Sequence, residues 1–424
     1  MKFSNIDIFD INISFEMVLE QDYQEQPSLF KIVIPRIPKL ISSVFKREIN
    51  YIKKANVDVL FFGASNNNQL SFKTIISNLK DVKYVTIRDD TDYPMIRAIY
   101  LSAPYFIDLF RAYRKANLRQ KRALVKNPID YLLAYGKFII ANRIIVNYKP
   151  TLIVLANDHS PMNRCLLKVA SNLQIKTLFL QHASVTNKFP KLLFDYSLLD
   201  GEESFSKYGM QTKPNGKVLL TGSPRFDDFY TVSEKEGLCK IGIAVNELDD
   251  FNIVKQLCVD LIKNTTFQLV VRPHPIMKSW HKEWFLANNI EFSDASQVKP
   301  YTYLSKIFLQ ISNTSSIHLD AAIMKVPTVM YQLSSMPIED HYEYLKHGLI
   351  KKASSIDELV QFIGHPVSLL PSDKTLSYYV ASAFTAMEGN VGFFISRYIN
   401  AILQNSDKVE ALLEKQYNIK TFKF

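Results

Sequence analysis

The sequence predicts an α/β fold with two domains, and three observations carry that reading. Short apolar, β-branched runs alternate with helix-length amphipathic patterns along most of the chain, the rhythm of parallel sheets covered by helices. A length of 424 residues exceeds what one ordinary hydrophobic core organises, so two cores are expected. Hydrophobic residues at 47% and charged residues at 22% are the proportions of a folded globular chain.

Taken in order, Ile41–Ala55 has a helical pattern, and Val57–Gly63 and Val82–Ile87 read as strands. Residues 88–130 show little alternation and predict a helical insertion, after which Tyr131–Val146 resumes a clear helical period. Leu152–Ala156 reads as a buried parallel strand, and Pro161–Leu173 as a helix with proline in its first turn. Thr177–Gln181 and Leu193–Leu199 are further strands. The turn-rich Gln211–Gly216 places a domain junction there. Beyond it, strands at Ile241–Val245, Phe267–Val271, Ile307–Ile311 and Thr328–Tyr331 alternate with helices at Phe251–Lys263, Ser279–Asn288, Ser315–Met324 and Ser355–Ile363. The expected division is a first domain over 1–212, a second over 213–388, and a tail over 389–424. The amphipathic pattern Val391–Leu403 in that tail is expected to pack back on the first domain.

Composition narrows the function classes. The N-terminal Met1–Asp7 lacks a basic region followed by an apolar core, so no secretory signal is expected, and no apolar window reaches membrane-spanning length. Cys165, Cys239 and Cys258 are isolated within apolar patterns, which fits buried free thiols in a reducing, cytoplasmic compartment. No metal-ligand spacing occurs. A formal net charge of +10 favours an anionic partner. No nucleic-acid-binding motif accompanies it, which leaves a nucleotide or an anionic membrane surface. The stretch Arg111–Lys126 holds seven cations and no acid. It reads either as a solvated helix face or as a surface resting on lipid headgroups at the inner face of the cell membrane.

Chemistry concentrates where strands end. In open α/β sheets, ligands bind outside the carboxyl ends of the strands. Val270-Val271-Arg272-Pro273-His274-Pro275 is an apolar run stopping at a cation and an imidazole held between two prolines. Arg272 and His274 are the groups that bind a phosphate and offset the charge of a departing one. The run before Ser312-Asn313-Thr314-Ser315-Ser316 ends in hydroxyls at a helix start, where Ser312, Thr314, Ser315 and Ser316 can donate to phosphate and Asp320, a turn further on, can take ribose hydroxyls. The second half therefore reads as a nucleotide-phosphate-binding domain. In the first half, strands end at Asp158-His159, at Gln181-His182 and at Asp200-Gly201. His182 is the candidate general base, with Asp200 as the alternative. Asp158 and His159 are assigned to the acceptor side, although Asp158 also suits a cap for the helix at Pro161. Thr221-Gly222-Ser223-Pro224-Arg225-Phe226-Asp227 adds Gly222 for close backbone approach and Arg225 for phosphate.

Over residues 150–405 these pieces together resemble the GT-B fold transferases of bacterial surface-polymer synthesis. The nearest groups are the CDP-glycerol glycerophosphotransferases of teichoic-acid and capsule assembly and the related capsular polysaccharide glycosyltransferases. The resemblance rests on Gln181-His182, on Thr221–Asp227, on Arg272-Pro273-His274-Pro275, and on Ser315-Ser316 with Asp320. It implies two Rossmann-like domains facing a cleft, with an acceptor-side N-terminal domain and a donor-nucleotide-binding C-terminal domain. It also implies His182 as base, His274 on the donor diphosphate, Ser315 and Ser316 on phosphate, and Asp320 on ribose. Ala183 stands where that family has glycine. Bacterial GT-B sialyltransferases share an acidic-Gly, a His-Pro and a Ser-Ser motif, met here by Asp200-Gly201, His274-Pro275 and Ser315-Ser316. That resemblance implies Asp200 as base, His274 as acid and a CMP-sugar donor, with Leu199 where a second acid is usual.

The leading expectation is a metal- and cofactor-independent transferase. It would move a glycosyl or glycerol-phosphate unit from a CDP-, CMP- or UDP-linked donor to a lipid-linked or polymeric saccharide acceptor. The alternatives are a nucleotide-sugar 2-epimerase-like isomerase, which shares the architecture and needs no acceptor, and a non-catalytic membrane-surface binding protein.

Overall fold

The structure, a computed structural model, describes residues 6–13, 55–63, 65–88, 95–211, 213–232, 239–277, 279–336 and 339–424. All but Ala55 of the helix expected over 41–55 lies outside the described residues. The chain forms two compact units. The first takes in residues up to His182, Asn187–Arg225 and Val391–Phe424, and the second takes in Ala183–Thr186 and Phe226–Asn390.

The strands in chain order are β1 (Val59–Gly63), β2 (Tyr84–Arg88), β3 (Leu152–Leu155), β4 (Lys176–Leu180), β5 (Tyr196–Leu199) and β6 (Lys217–Leu220). There follow β7 (Lys240–Val245), β8 (Gln268–Pro273), β9 (Glu291–Phe292), β10 (Leu309–Ser312), β11 (Thr328–Tyr331), β12 (Lys351–Ala353) and β13 (Lys420–Lys423). The first sheet has the order β13-β6-β5-β4-β3-β1-β2, parallel except for β13, which runs antiparallel to β6. The second has the order β12-β11-β10-β7-β8-β9 and is parallel throughout. Renumbered within its own unit, that order is the doubly wound dinucleotide-domain arrangement. The order in which the strands are added reverses between β7 and β10, the kind of switch point beside which ligands of such sheets bind at the carboxyl ends.

Alternation along the second sheet shows how the sequence builds it. Ile241, Ile243 and Val245 of β7, with Leu269 and Val271 of β8, pack on one face against Val254, Leu257 and Leu261 of the helix Phe251–Asn264. Ala244 and Val270 pack on the other face with Tyr303, Ile307 and Ile323. Both faces are covered, so the strands carry near-continuous apolar runs, as buried parallel strands do. The helix expected from Ser279 begins only at Lys282, because His281 takes a left-handed conformation (φ 48°) just before it.

Two differences from the sequence reading concern organisation. The junction between units falls after Arg225 and not near residue 212. The turn before β6 is internal to the first unit, since β6 adds to the first sheet beside β5. The tail joins the first unit as its amphipathic pattern leads one to expect, through the helix Val391–Leu403, and adds the edge strand β13 to the first sheet. Cys165 and Cys258 are buried, but Cys239 is exposed, because it lies just before β7 and not in an apolar core.

The insertion between β2 and β3 forms helices Met95–Ser102, Phe106–Lys115 and Leu118–Lys126, which pack on the long helix Pro128–Tyr148. Gly136 permits the closest of these contacts. A Cβ there would lie 2.0 Å from the Ala98 carbonyl oxygen, and its N–H donates to Ser102 Oγ at 2.9 Å. Among the described residues no helix is long and apolar enough to cross a membrane.

Candidate functional site

In each unit the chemistry-bearing side chains gather at the carboxyl ends of the parallel strands. In the first unit, β3 runs out into Asn157-Asp158-His159. Neither Asp158 nor Asn157 caps the following helix, whose N-cap is Ser160; Asn157 instead closes a turn ahead of it, its Oδ1 accepting the N–H groups of His159 at 3.0 Å and Ser160 at 2.7 Å. The Asp158 carboxylate meets side chains. It accepts the Tyr208 hydroxyl at 2.8 Å and faces His159 Nδ1 at 2.8 Å. Burial first, and then the neighbouring carboxylate, holds the Tyr208 phenol well above its ordinary range. The His159 ring also stands edge-on to Phe189, with centroids 5.2 Å apart.

His182 follows β4, with the Ala156 carbonyl near enough to its ring to favour the protonated form slightly. Burial lowers its pKa to about 4. Asp158 opposes that shift, while His159 and Arg225 add to it. The imidazole is therefore neutral near pH 7, with one ring nitrogen unprotonated and able to accept a proton. Gln181 fixes this strand end: its Nε2 donates to Ser204 Oγ at 2.9 Å and its Oε1 accepts the Asp200 N–H at 2.9 Å. Asp200 is buried, 2% exposed, which disfavours it as a base that must reach an acceptor hydroxyl from solvent. Gly222 adopts φ 74°, the positive φ that glycine accommodates without strain. Gly222 and Arg225 follow β6 of the first sheet, so they belong with His182 in the first unit and not with the donor edge expected for them.

In the second unit, three strand ends are tied together by polar side chains. After β7, Asn246 Nδ2 donates to the Thr314 carbonyl at 3.4 Å, across the switch point. After β10, Asn313 Nδ2 donates to Asp249 Oδ1 and to Ser334 Oγ, both at 3.1 Å. Burial raises the Asp249 pKa against these hydrogen bonds. His318 is fully buried: Nε2 lies 2.8 Å from the Asn313 carbonyl oxygen and Nδ1 lies 2.6 Å from Thr328 Oγ1. Burial brings its pKa to about 4, so the neutral ring donates from Nε2 and accepts from Thr328.

This frame presents some of the expected residues and consumes others. His274 is exposed at the end of β8, its N–H bonded to the Val245 carbonyl at 2.9 Å and its Nδ1 3.5 Å from the Ile276 nitrogen. Thr314, Ser315 and Ser316 are half-buried at the end of β10. The Ser315 hydroxyl accepts the Ile317 N–H at 3.4 Å, the Thr314 hydroxyl donates to the Glu339 carbonyl at 3.3 Å, and Ser316 makes no side-chain cap.

Arg272 and Ser312 are corrections. Arg272 shares the face of β8 with Val270, so its side chain runs along the sheet into the packed layer. Its guanidinium donates to Ser293 Oγ at 3.2 Å and to the Val298 carbonyl at 2.8 Å, 5.0 Å over the Tyr303 ring. Ser312 is fully buried and donates to the Ala244 carbonyl at 2.8 Å. Asp320 is buried too and lies within electrostatic reach of Arg272, which disfavours the ribose role. The sequence reading missed Asn246, Asn313, Asp249 and His318. Asn246 was findable, since it ends an apolar strand as abruptly as His274 does.

No family model and no curated protein matches the sequence. Solved structures do. A UDP-N-acetylglucosamine 2-epimerase is 9% identical over 84% of this chain and 98% of its own, with a TM-score of 0.52. The UDP-GlcNAc 2-epimerase of Neisseria meningitidis bound to UDP-GlcNAc is 12% identical over 82% of this chain and 100% of its own, with a TM-score of 0.50. The wall teichoic acid polymerase TagF is 10% identical over 89% of this chain and 96% of its own, at a TM-score of 0.46, too low to carry an argument. At such identities the likeness concerns the fold, which is that of two Rossmann-like domains of the GT-B type.

Proposed function

We propose that the chain is a transferase that moves a glycosyl or glycerol-phosphate unit from a nucleotide-activated donor to a lipid-linked or polymeric saccharide acceptor. The observation that carries this reading is the switch point of the second sheet. There His274 on β8 and Ser315 and Ser316 after β10 stand on one edge, with β7 between their strands. Neighbouring strands lie about 4.8 Å apart, so these groups flank a gap of about 10 Å, the scale of a diphosphate with its substituents. An imidazole and hydroxyls there donate to phosphate oxygens and take up charge as the nucleotide departs. No metal or cofactor enters the scheme.

The first unit supplies the base. His182, neutral down to about pH 4, accepts the proton of an acceptor hydroxyl through its unprotonated ring nitrogen. In the glycosyl case the hydroxyl oxygen bonds to the anomeric carbon as the carbon–oxygen bond to phosphate breaks. In the glycerol-phosphate case it bonds to phosphorus and the nucleoside monophosphate leaves. Asp158 beside His182 favours the imidazolium that results.

A second reading, a nucleotide-sugar 2-epimerase, is favoured by the similarity in fold to epimerases. The purified chain incubated with CDP-, CMP- and UDP-linked donors separates the two, with released nucleotide and altered sugar followed by mass spectrometry. Nucleotide release that requires a saccharide acceptor supports transfer. An epimer formed without acceptor supports the second reading. His182→Ala is expected to slow transfer about 10²–10⁴-fold while leaving donor affinity unchanged; undiminished transfer removes the base role.

A further inference from the structure

We infer that the helical insertion of the first unit is a docking surface for an anionic lipid bilayer. On the helix Phe106–Lys115, Leu109 is the buried residue, and an exposed ridge beside it carries Phe106, Ile107 and Phe110 at 67%, 64% and 55% exposure. Three large apolar side chains adjoining on one short exposed helix are more than scattered surface hydrophobics. Cations surround them. The Arg114 guanidinium sits 4.6 Å over the Phe110 ring, Lys115 follows it, and Arg111 pairs with Asp108, the helix's only acid, at 2.7 Å.

The next helix, Leu118–Lys126, repeats the grammar. It buries Ala123 and Leu124 and exposes Leu118, Arg122 and Val125, spaced i, i+4, i+7 on one face. Lys121 over the Tyr113 ring at 5.7 Å joins the two helices. Residues 111–126 contain no acid. Aromatic and aliphatic side chains flanked by long cations on a surface helix match the headgroup–acyl boundary. Apolar groups enter the acyl region there, and Arg and Lys reach back to lipid phosphates. The charge supplies the sign of the partner, and the apolar ridge separates a bilayer from a soluble polyanion, which would leave Phe106, Ile107 and Phe110 in water. The inference does not depend on the donor reading.

The test is co-flotation of the full chain with vesicles of phosphatidylcholine alone and with about a quarter phosphatidylglycerol. Anionic vesicles are expected to bind at least about tenfold more tightly, with the difference shrinking as salt shortens the screening length. Replacing three cations (Arg114→Gln, Lys115→Gln, Arg122→Gln) is expected to weaken binding about 10²-fold, at roughly fivefold per charge. Replacing the apolar ridge (Phe106→Ser, Ile107→Ser, Phe110→Ser) is expected to weaken it about as much. All six side chains face solvent, so circular dichroism should be unchanged. Independently, Phe110→Trp should gain blue-shifted emission quenched by brominated lipid. Equal binding to both vesicle types, full binding by either triple variant, or binding to heparin without binding to vesicles overturns the inference.

Discussion

Arg272 offers the sharpest separation of a structural from a ligand-binding role. The perturbation is Arg272→Leu. Arg272 is 6% exposed, and its guanidinium donates to Ser293 Oγ and the Val298 carbonyl, lies over Tyr303, and sits within electrostatic reach of the buried Asp320. Hydrogen bonds from a charged donor contribute about 1.5–3 kcal/mol each. Removing the guanidinium also leaves the buried Ser293 hydroxyl and Val298 carbonyl without their donor, at about 1–3 kcal/mol each. Leucine recovers part of this through apolar contact with Tyr303 and Val270. The net expectation is a loss of about 3–5 kcal/mol, or a melting temperature lower by about 10 °C for a unit of this size. The assay is thermal unfolding followed by tryptophan emission, since Trp280 and Trp284 are the two tryptophans and both lie in the second unit. It is paired with nucleotide titration well below the transition. Affinity should change less than about twofold. A variant that melts like the parent but binds nucleotide more than tenfold more weakly would refute the reasoning, because the guanidinium would then face ligand and not the Tyr303 layer.

Two further outcomes follow from packing and titration. Gly136→Ala places a methyl group against the Ala98 carbonyl and Ser102 Oγ and should destabilise the first unit by about 3 kcal/mol, read as a lower denaturation midpoint at unchanged slope; a neutral result would mean that the helices are not in contact there. His318 has a folded pKa of about 4 against 6.5 for the free side chain. The unfolded chain therefore binds the extra proton between those values, and stability is full above about pH 6.5 and lost as pH falls toward 4, by about 3 kcal/mol. His318→Gln should flatten that slope in a denaturation series monitored through Trp280 and Trp284, and an unaltered slope would assign it to other groups.

Much of the fold was legible because buried parallel strands announce themselves. Leu152–Leu155, Ile241–Val245 and Thr328–Tyr331 are β-branched or aliphatic runs with helical periods on either side. The unit boundary was less legible. Pro214-Asn215-Gly216 has the composition of a linker, yet it only turns the chain into β6, and a turn inside a sheet and a turn between domains use the same residues. β13 was invisible because Lys420–Lys423 is a short polar edge strand whose partner, β6, lies far away in sequence. At the site, strand ends were located well but side-chain directions were not. Arg272 and His274 share the same side of the strand alternation, but Arg272 is still inside β8, between two packed faces, while His274 has passed its end. Asp158 illustrates the same limit: the cap expected of it is not made, because the helix starts at Pro161 with Ser160 as its N-cap, and its carboxylate turns to Tyr208 and His159.

The central claim is that the carboxyl edge of the second sheet grips the phosphates of an activated donor. Isothermal titration of the full chain with CDP, CMP and UDP tests it most directly, with His274→Ala and with Ser315→Ala and Ser316→Ala combined. At least one nucleotide is expected to bind saturably. Each variant is expected to weaken it about tenfold or more, in line with the loss of hydrogen bonds to a charged group, with melting temperatures unchanged. Absence of binding to all three nucleotides, or affinity indifferent to both variants, contradicts the account.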